Sequence, residues 1–184
     1  MTSNKKRVGL CIDGDNFYHT QKKHLYYDID AEKLLRFCEN YGELVSASYY
    51  LSKYDDPDSF SEEERDKFSR ALMNLGYRVT RVPTKRINTP TGEKRKSKVD
   101  AHILLDVPEQ KDYWDVLVLC SGDSDLDVLI KRLQTNGKRV IVLSTATAVA
   151  EDIRMLVGLD YIDLLDLKDQ LDKNPTGDTG ITKE

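Results

Sequence analysis

Five side chains in this sequence have the types and the surroundings to do chemistry: Asp13, Asn16, Asp100, Asp123 and Asp125. Asp13 closes the apolar run Val8-Gly9-Leu10-Cys11-Ile12 and opens Asp13-Gly14-Asp15-Asn16. Asp123 and Asp125 follow Val116-Leu117-Val118-Leu119-Cys120, within Ser121-Gly122-Asp123-Ser124-Asp125. Short runs rich in Val, Ile and Leu read as strands buried on both faces, the kind found in parallel sheets. Carboxylates at the carboxyl ends of such strands stand where open α/β sheets bind ligands. Like charges gathered there repel, and a divalent metal is the simplest compensation. Oxygen ligands select hard cations such as Mg2+ or Mn2+, which keep several waters and bind through few carboxylates. One or two such ions would clamp a phosphodiester and make a hydroxide nucleophile from bound water.

Each acid also has a plainer use. An Asp at a strand end or helix N-terminus often serves only as a cap. That reading weakens when separate segments each bring acid to one sheet edge. Asp100 follows a basic stretch directly, in Lys98-Val99-Asp100, which suits the wall of a site. Asn16 is expected to cap the first helix, and its amide would equally orient Asp13 or a phosphate. Asp127 would face either the site or solvent, and Asp15 belongs to the turn or the cap. Asp106 stands about 600° around a helix from Asp100, so it points elsewhere and is left out of the site. His19, His24 and His102 lack the context of a Ser-His-Asp arrangement. Tyr26, Tyr27, Tyr49, Tyr50 and Tyr54 would stack on bases if exposed, but ordinary packing explains most of them more simply.

The elements that must position these residues alternate strand and helix. A strand at about 7–13 leads into a helix beginning near Asp15 or Asn16. Asp30 caps a second helix that reaches about Tyr41 and stops at Gly42. Leu44 to Leu51 reads as a strand, and Ser61 with Glu64 forms the capping box of a helix ending at Gly76. Tyr77 to Val82 is a third strand, closed by Pro83. The basic segment around Pro90-Thr91-Gly92 has the turn chemistry of a loop or a hairpin. A helix over about 99–107 ends before Pro108. The strand at 115–120 precedes a helix at about 125–135, and Val140 to Leu143 is a fifth strand before a helix from about Thr147 to Val157. This alternation implies right-handed crossovers and an α/β fold with a parallel sheet covered on both faces. Residues 1–172 read as one domain, and 173–184 as a disordered tail of Pro, Gly, Thr and charge.

Composition fits that picture. A chain of 184 residues with 39% hydrophobic and 33% charged side chains suits one soluble domain with a real core. No apolar stretch approaches the roughly 18–20 residues needed to cross a bilayer, and Asp13 interrupts the first apolar run too early for a signal peptide. The three cysteines, Cys11, Cys38 and Cys120, are odd in number and show neither disulfide nor zinc spacing. The cytoplasm is the expected compartment. The net charge of −4 hides an asymmetry: Arg78 to Lys98 carries +7, which leaves −11 for the rest. A solvated loop is one reading, and a phosphate-contacting stripe of Lys85, Arg86, Lys94, Arg95, Lys96 and Lys98 is the other. No glycine-rich dinucleotide fingerprint and no phosphate loop is present.

Taken in order, Ile12-Asp13-Gly14-Asp15-Asn16, Lys98-Val99-Asp100 with Asp106 downstream, and Ser121-Gly122-Asp123-Ser124-Asp125 resemble the three signatures of NYN domains. These belong to the PIN-like nuclease group and include the LabA-like proteins. Gly76-Tyr77-Arg78-Val79 and Gly137-Lys138-Arg139-Val140 fit as well, and the resemblance runs from about Val8 to Leu165. It implies a three-layer α/β/α sandwich with a central, mainly parallel sheet and a metal-dependent ribonuclease site, endonucleolytic and served by Mg2+ or Mn2+. Carried over, the metal-binding acids are Asp13, Asp100, Asp123 and Asp125, with Asn16 in support. RNA is the implied partner, no membrane is expected, and a homodimer is compatible with the sequence. The departure from the family pattern is Leu126-Asp127-Val128, where Phe and then Pro are common. One rival is a haloacid-dehalogenase-like phosphatase, with Asp13 as nucleophile and Asp15 as its acid–base partner. Another is a non-catalytic RNA-binding or regulatory adaptor that keeps the fold.

Overall fold

A computed structural model describes residues 5–53, 61–89 and 92–174, with the backbone alone for 85–89 and 92–96. The chain opens with strand β1 (Arg7–Asp13), helices α1 (Gly14–His24) and α2 (Ala31–Cys38), and strand β2 (Glu43–Lys53). Then come α3 (Glu62–Asn74), β3 (Arg78–Pro83), the strands β4 (Lys85–Thr89) and β5 (Gly92–Lys96), and α4 (Val99–Glu109). The last third alternates β6 (Val116–Cys120), α5 (Asp127–Thr135), β7 (Arg139–Ser144), α6 (Glu151–Val157), β8 (Tyr161–Asp163) and α7 (Lys168–Leu171).

Six strands form one parallel sheet in the order β3-β2-β1-β6-β7-β8. Alternation along the buried strands divides the core in two. Val8, Leu10 and Ile12 of β1, with Val118 and Cys120 of β6, pack under α1, α2, α3 and α7. Cys11, Leu117 and Leu119 pack on the opposite face against Ile103 of α4, Leu129 and Ile130 of α5 and Ile153 of α6. The expected three layers are therefore present. Parallel pairing explains why β6 has no polar residue: both of its faces are covered. All three cysteines are free and buried, behaving as small apolar side chains. Among the described residues no helix is long and apolar enough to cross a membrane.

Local signals act as their chemistry demands. Asp30 caps α2 by accepting from the Glu32 and Lys33 amides at 2.8 and 3.0 Å. Ser61 and Glu64 form the capping box of α3. The basic segment folds as a two-stranded antiparallel hairpin, β4 with β5, whose Pro90 and Thr91 lie outside the described residues.

Two helix boundaries and one added strand differ most from the sequence expectation. Helix α4 continues through Pro108 to Glu109. Proline falls in its last turn, where the ladder already loosens into the shorter Gln110-to-Val107 bond of 3.1 Å. Helix α6 starts at Glu151 rather than Thr147, because residues 145–150 form a loop whose Ala150 amide donates to the Gly122 carbonyl at 2.9 Å. Strand β8 is only three residues long and half-buried, too short for a period to declare it. The tail expected to be disordered lies, from residue 175 on, outside the described residues.

Candidate active site

The strand order reverses between β1 and β6. From β1 the chain proceeds to β2 and β3 on one side, and from β6 to β7 and β8 on the other. In open α/β sheets the crevice at such a reversal, outside the carboxyl ends of the strands, is the usual ligand site. Asp13 ends β1 there, and Ser121-Gly122-Asp123 leaves β6 beside it, with Ile12 paired to Cys120.

Asp13 is 4% exposed and caps α1, its carboxylate accepting from the Asn16 amide at 3.1 Å and the Ser121 hydroxyl at 3.2 Å. Burial pushes its carboxyl up to about 6. The Asn16 and Ser121 bonds pull it down, while the Asp15 and Asp123 charges push it further up. Among the described residues no cation is one of the groups acting on it. Asn16 is not the helix cap that the sequence suggests. With that role filled by Asp13, its amide oxygen is free to accept from the Gly122 amide at 3.0 Å, tying α1 to the loop after β6.

Ser121 is a site residue that sequence reasoning passes over. Its buried hydroxyl donates to Asp13 and accepts from the Asp123 amide at 3.2 Å, so one oxygen joins the two acidic segments. The only sequence signal was its place just before Gly122-Asp123. Asp123 caps the single helical turn Ser124–Leu126 by accepting from the Asp125 amide at 3.1 Å, and Asp125 itself is exposed. Gly122 has a steric reason to be glycine: an added Cβ would lie 2.5 Å from the Ala148 carbonyl oxygen and 2.8 Å from Ser144 Oγ. Gly14 is equally constrained, by the Tyr50 carbonyl and Leu51 of β2.

The structure brings together Asp13, Asn16, Ser121, Gly122 and Asp123. Asp100 stands half-buried in the first turn of α4, and no hydrogen bond or ion pair among the described residues joins it to Asp13, Asp123 or Asp125. Among the described residues no three His, Cys, Asp or Glu side chains stand close enough together to hold a metal ion on their own. Other acids have separate work. Asp15 accepts from the Ser52 amide at 3.1 Å and hydroxyl at 2.8 Å, pinning α1 to β2. That engagement counts against its use as a phosphatase acid–base partner. Asp106 accepts from the Tyr50 hydroxyl at 3.1 Å, and Asp127 pairs with Lys131 at 2.6 Å one turn along α5. Leu126, where the family commonly has Phe, is fully buried.

Helix α1 forms one wall of the crevice. It runs from Ser52 of β2, gripped by Asp15, to the loop after β7, where His24 Nδ1 meets the Thr147 hydroxyl at 2.9 Å. The basic hairpin leaves the sheet after β3, and its register sets Lys85 opposite Lys96 and Arg86 opposite Arg95. The side chains of Lys85, Arg86, Lys94, Arg95 and Lys96 lie outside the described residues; Lys98, just before α4, is exposed. Tyr27, Tyr49 and Tyr50 are buried and cannot stack on a base. Tyr26 is exposed but lies against the Lys168 ammonium, 4.9 Å from its ring centre, and Tyr54 falls outside the described residues.

An α/β/α sandwich with acids at its switch point defines a ligand-binding class, and comparison with known proteins narrows it. Residues 7–165 match the NYN domain, and the chain belongs to that family, within the PIN-like nuclease superfamily. It is 28% identical over 178 residues to low amplitude and bright protein LabA of Synechococcus elongatus, covering 94% of this chain and 91% of that protein. It is 23% identical to protein MJ0482 of Methanocaldococcus jannaschii, covering 91% of this chain and 58% of that one. The fold is similar to the crystal structure of VPA0982 from Vibrio parahaemolyticus, a protein of unknown function, with a TM-score of 0.73 at 23% identity over 93% of this chain and 99% of that one.

Proposed function

We propose that this protein is a metal-dependent ribonuclease that hydrolyses phosphodiester bonds within RNA chains. The observation that carries the reading is Asp13: a buried carboxylate at the switch point, beside the charge of Asp123, with no cation of the described residues among the groups acting on it. Family membership supplies the nuclease class. The donor set fits Mg2+ or Mn2+, which bind through one or two carboxylates and fill the remaining positions with water and substrate phosphate. It does not offer a closed cage. Asp13 and Asp123 would hold the ion; no third carboxylate among the described residues clusters with them, so Asp100 and Asp125 would act through coordinated water or on the substrate. When bound, the ion supplies Lewis acidity and lowers the pKa of a coordinated water.

The chain's own residues set the geometry. Ser121 and the Asn16 amide fix the Asp13 carboxylate, while the Asn16 side chain fixes Gly122 and so the path to Asp123. The Ala150 bond to Gly122 braces that loop from the far side. A site so acidic repels a polyanion, and the basic hairpin with Lys98 would hold the RNA phosphates against that repulsion.

The test is cleavage of single-stranded and structured RNA with Mg2+ or Mn2+, comparing wild type with Asp13→Asn and Asp123→Asn. Cleavage should need the metal, stop with EDTA and fall at least a hundredfold in each variant, on the order of losing a group that acts directly in catalysis. Cleavage indifferent to EDTA and to both substitutions would refute the assignment. RNA bound but never cut would leave a non-catalytic adaptor.

A further inference from the structure

Away from the acidic crevice, α3 and the edge strand β3 enclose a cleft of about 270 Å³ lined by Asp66, Ser69, Arg70, Met73, Val79 and Arg81. Arg81 is its centre. One terminal nitrogen pairs with Asp66 at 2.6 Å and Nε donates to the Ser69 hydroxyl at 3.2 Å. The other terminal nitrogen, Nη2, is buried and has no hydrogen-bond partner among the described residues. A guanidinium that served only to staple β3 to α3 would be complete with Asp66 and Ser69. A buried donor without an acceptor costs its desolvation and returns nothing, so a small turn of the Arg81 side chain, which is 28% exposed, to meet an oxygen in the cleft would recover a bond at little cost. Arg70, exposed on the same cleft, adds a second guanidinium, and two positive groups against the single Asp66 leave the cleft net positive. Planar guanidinium forks match phosphate oxygens in geometry as well as charge.

Position supports a nucleic-acid phosphate over a free one. Arg81 pairs with Leu51, one residue beyond Tyr50, which itself pairs with Asp13. Strand spacing then puts the Arg81 and Asp13 backbones roughly 10 Å apart. Arg81 also lies four residues before Lys85, at the root of the basic hairpin. We infer that the Arg81–Arg70 cleft is a phosphate-binding subsite that holds a phosphodiester of the same RNA strand that enters the acidic crevice. This rests on the ribonuclease reading for the identity of the strand, and not for the chemistry of the cleft.

The experiment measures binding without cleavage: anisotropy of a labelled single-stranded RNA with the full wild-type chain in EDTA, at several salt concentrations. Arg70→Glu should weaken binding on the order of tenfold and lower the salt slope by about 0.7, the share of one phosphate on a single strand. Asp66→Asn removes the internal competitor for Arg81 and should tighten binding several-fold more than Glu63→Gln, which makes the same change of charge on α3 away from the cleft. Circular dichroism checks that all three variants fold, and titration with inorganic phosphate, followed at the Arg81 Nε–H resonance by NMR, reads the cleft directly. The phosphate should shift that resonance. Unchanged RNA affinity and slope in both folded cleft variants would overturn the inference, even if inorganic phosphate still shifts the resonance, because the cleft would then serve a free anion. Cleavage by wild type is scored separately, so RNA cut normally by cleft variants that bind as wild type sinks this subsite and leaves the ribonuclease standing. Altered binding without any cleavage does the reverse.

Discussion

With its carboxyl pushed up to about 6, Asp13 is ionised at pH 7.5 in surroundings that favour the neutral form. The sign follows from linkage: the folded value lies above the ordinary 3.8, so the penalty is absent below that pH, grows as pH rises towards 6, and is constant beyond. A shift of this size corresponds to about 3 kcal/mol at most. Asp13→Asn removes the charge and keeps an oxygen to accept from the Asn16 amide. In EDTA it should raise stability at pH 7.5 by about 1–2 kcal/mol, as a neutral group replaces an unpaired buried charge. Urea melts at pH 7.5 and pH 4 check this, and the gain should vanish at the lower pH. A variant that is more stable yet loses cleavage would show the carboxylate is kept for chemistry at the expense of folding. Equal or lower stability at pH 7.5 would mean that the charge is compensated after all. Of the site, Asp13 and Asp123 were legible because each ends an apolar run. Ser121 and the true partner of Asn16 were not, since a hydroxyl or an amide declares its hydrogen bond only once two distant loops have met.

At the scale of elements, the loop after β6 is held between α1, through Asn16, and residues 145–150, through the Ala150 amide. Gly122 allows that approach, and Gly122→Ala would drive a methyl group into the Ala148 carbonyl. The loop must shift, at a cost of about 1–3 kcal/mol as for other overpacked sites. Cleavage should fall with it, because Asp123 moves relative to Asp13. Thermal melts and cleavage rates measure the two effects, and an unaltered rate would mean that the brace is irrelevant to the chemistry. A different contact fixes the opposite end of the sheet. Asp115, just before β6, takes the Arg7 amide at 2.9 Å and its guanidinium at 3.1 Å, and the arginine holds its carboxyl down at about 2. The folded value lies below the ordinary one, so this stability is present above pH 4 and disappears as pH falls towards 2. Asp115→Asn should lower the urea midpoint at pH 7, with the deficit closing below pH 3. The sequence showed the strands this contact joins, because their apolar runs have the right length and the right ends. It hid β8 and the late start of α6, where three-residue pairing and loop bonds leave no periodic trace.

Across the whole molecule, charge is divided where the fold divides it. The layered body could be read from alternation alone, since strands separated by capped helices admit few arrangements. What no periodicity reports is which strand lies beside which, and the switch point between β1 and β6 emerges only from that order. The +7 segment then gains meaning: it leaves the sheet from the edge strand β3 and returns through Lys98 into α4, directly before Asp100. On the proposed ribonuclease reading, a polyanion approaching this acidic protein would meet that segment as its main attraction. RNA affinity should therefore fall linearly in log–log form with salt. Replacing Lys94, Arg95 and Lys96 together with Ala should reduce the slope by about 2, at roughly 0.7 for each single-strand phosphate that is no longer neutralised. The fold should be undisturbed, because β4 and β5 form a two-stranded sheet separate from the six-stranded one. Anisotropy titrations between low and physiological salt make the measurement, with melting curves as the control. An unchanged slope in a folded variant would show that the hairpin is only a solvated surface, and the attraction holding RNA near Asp13 would have to come from α1 or the β3 edge instead.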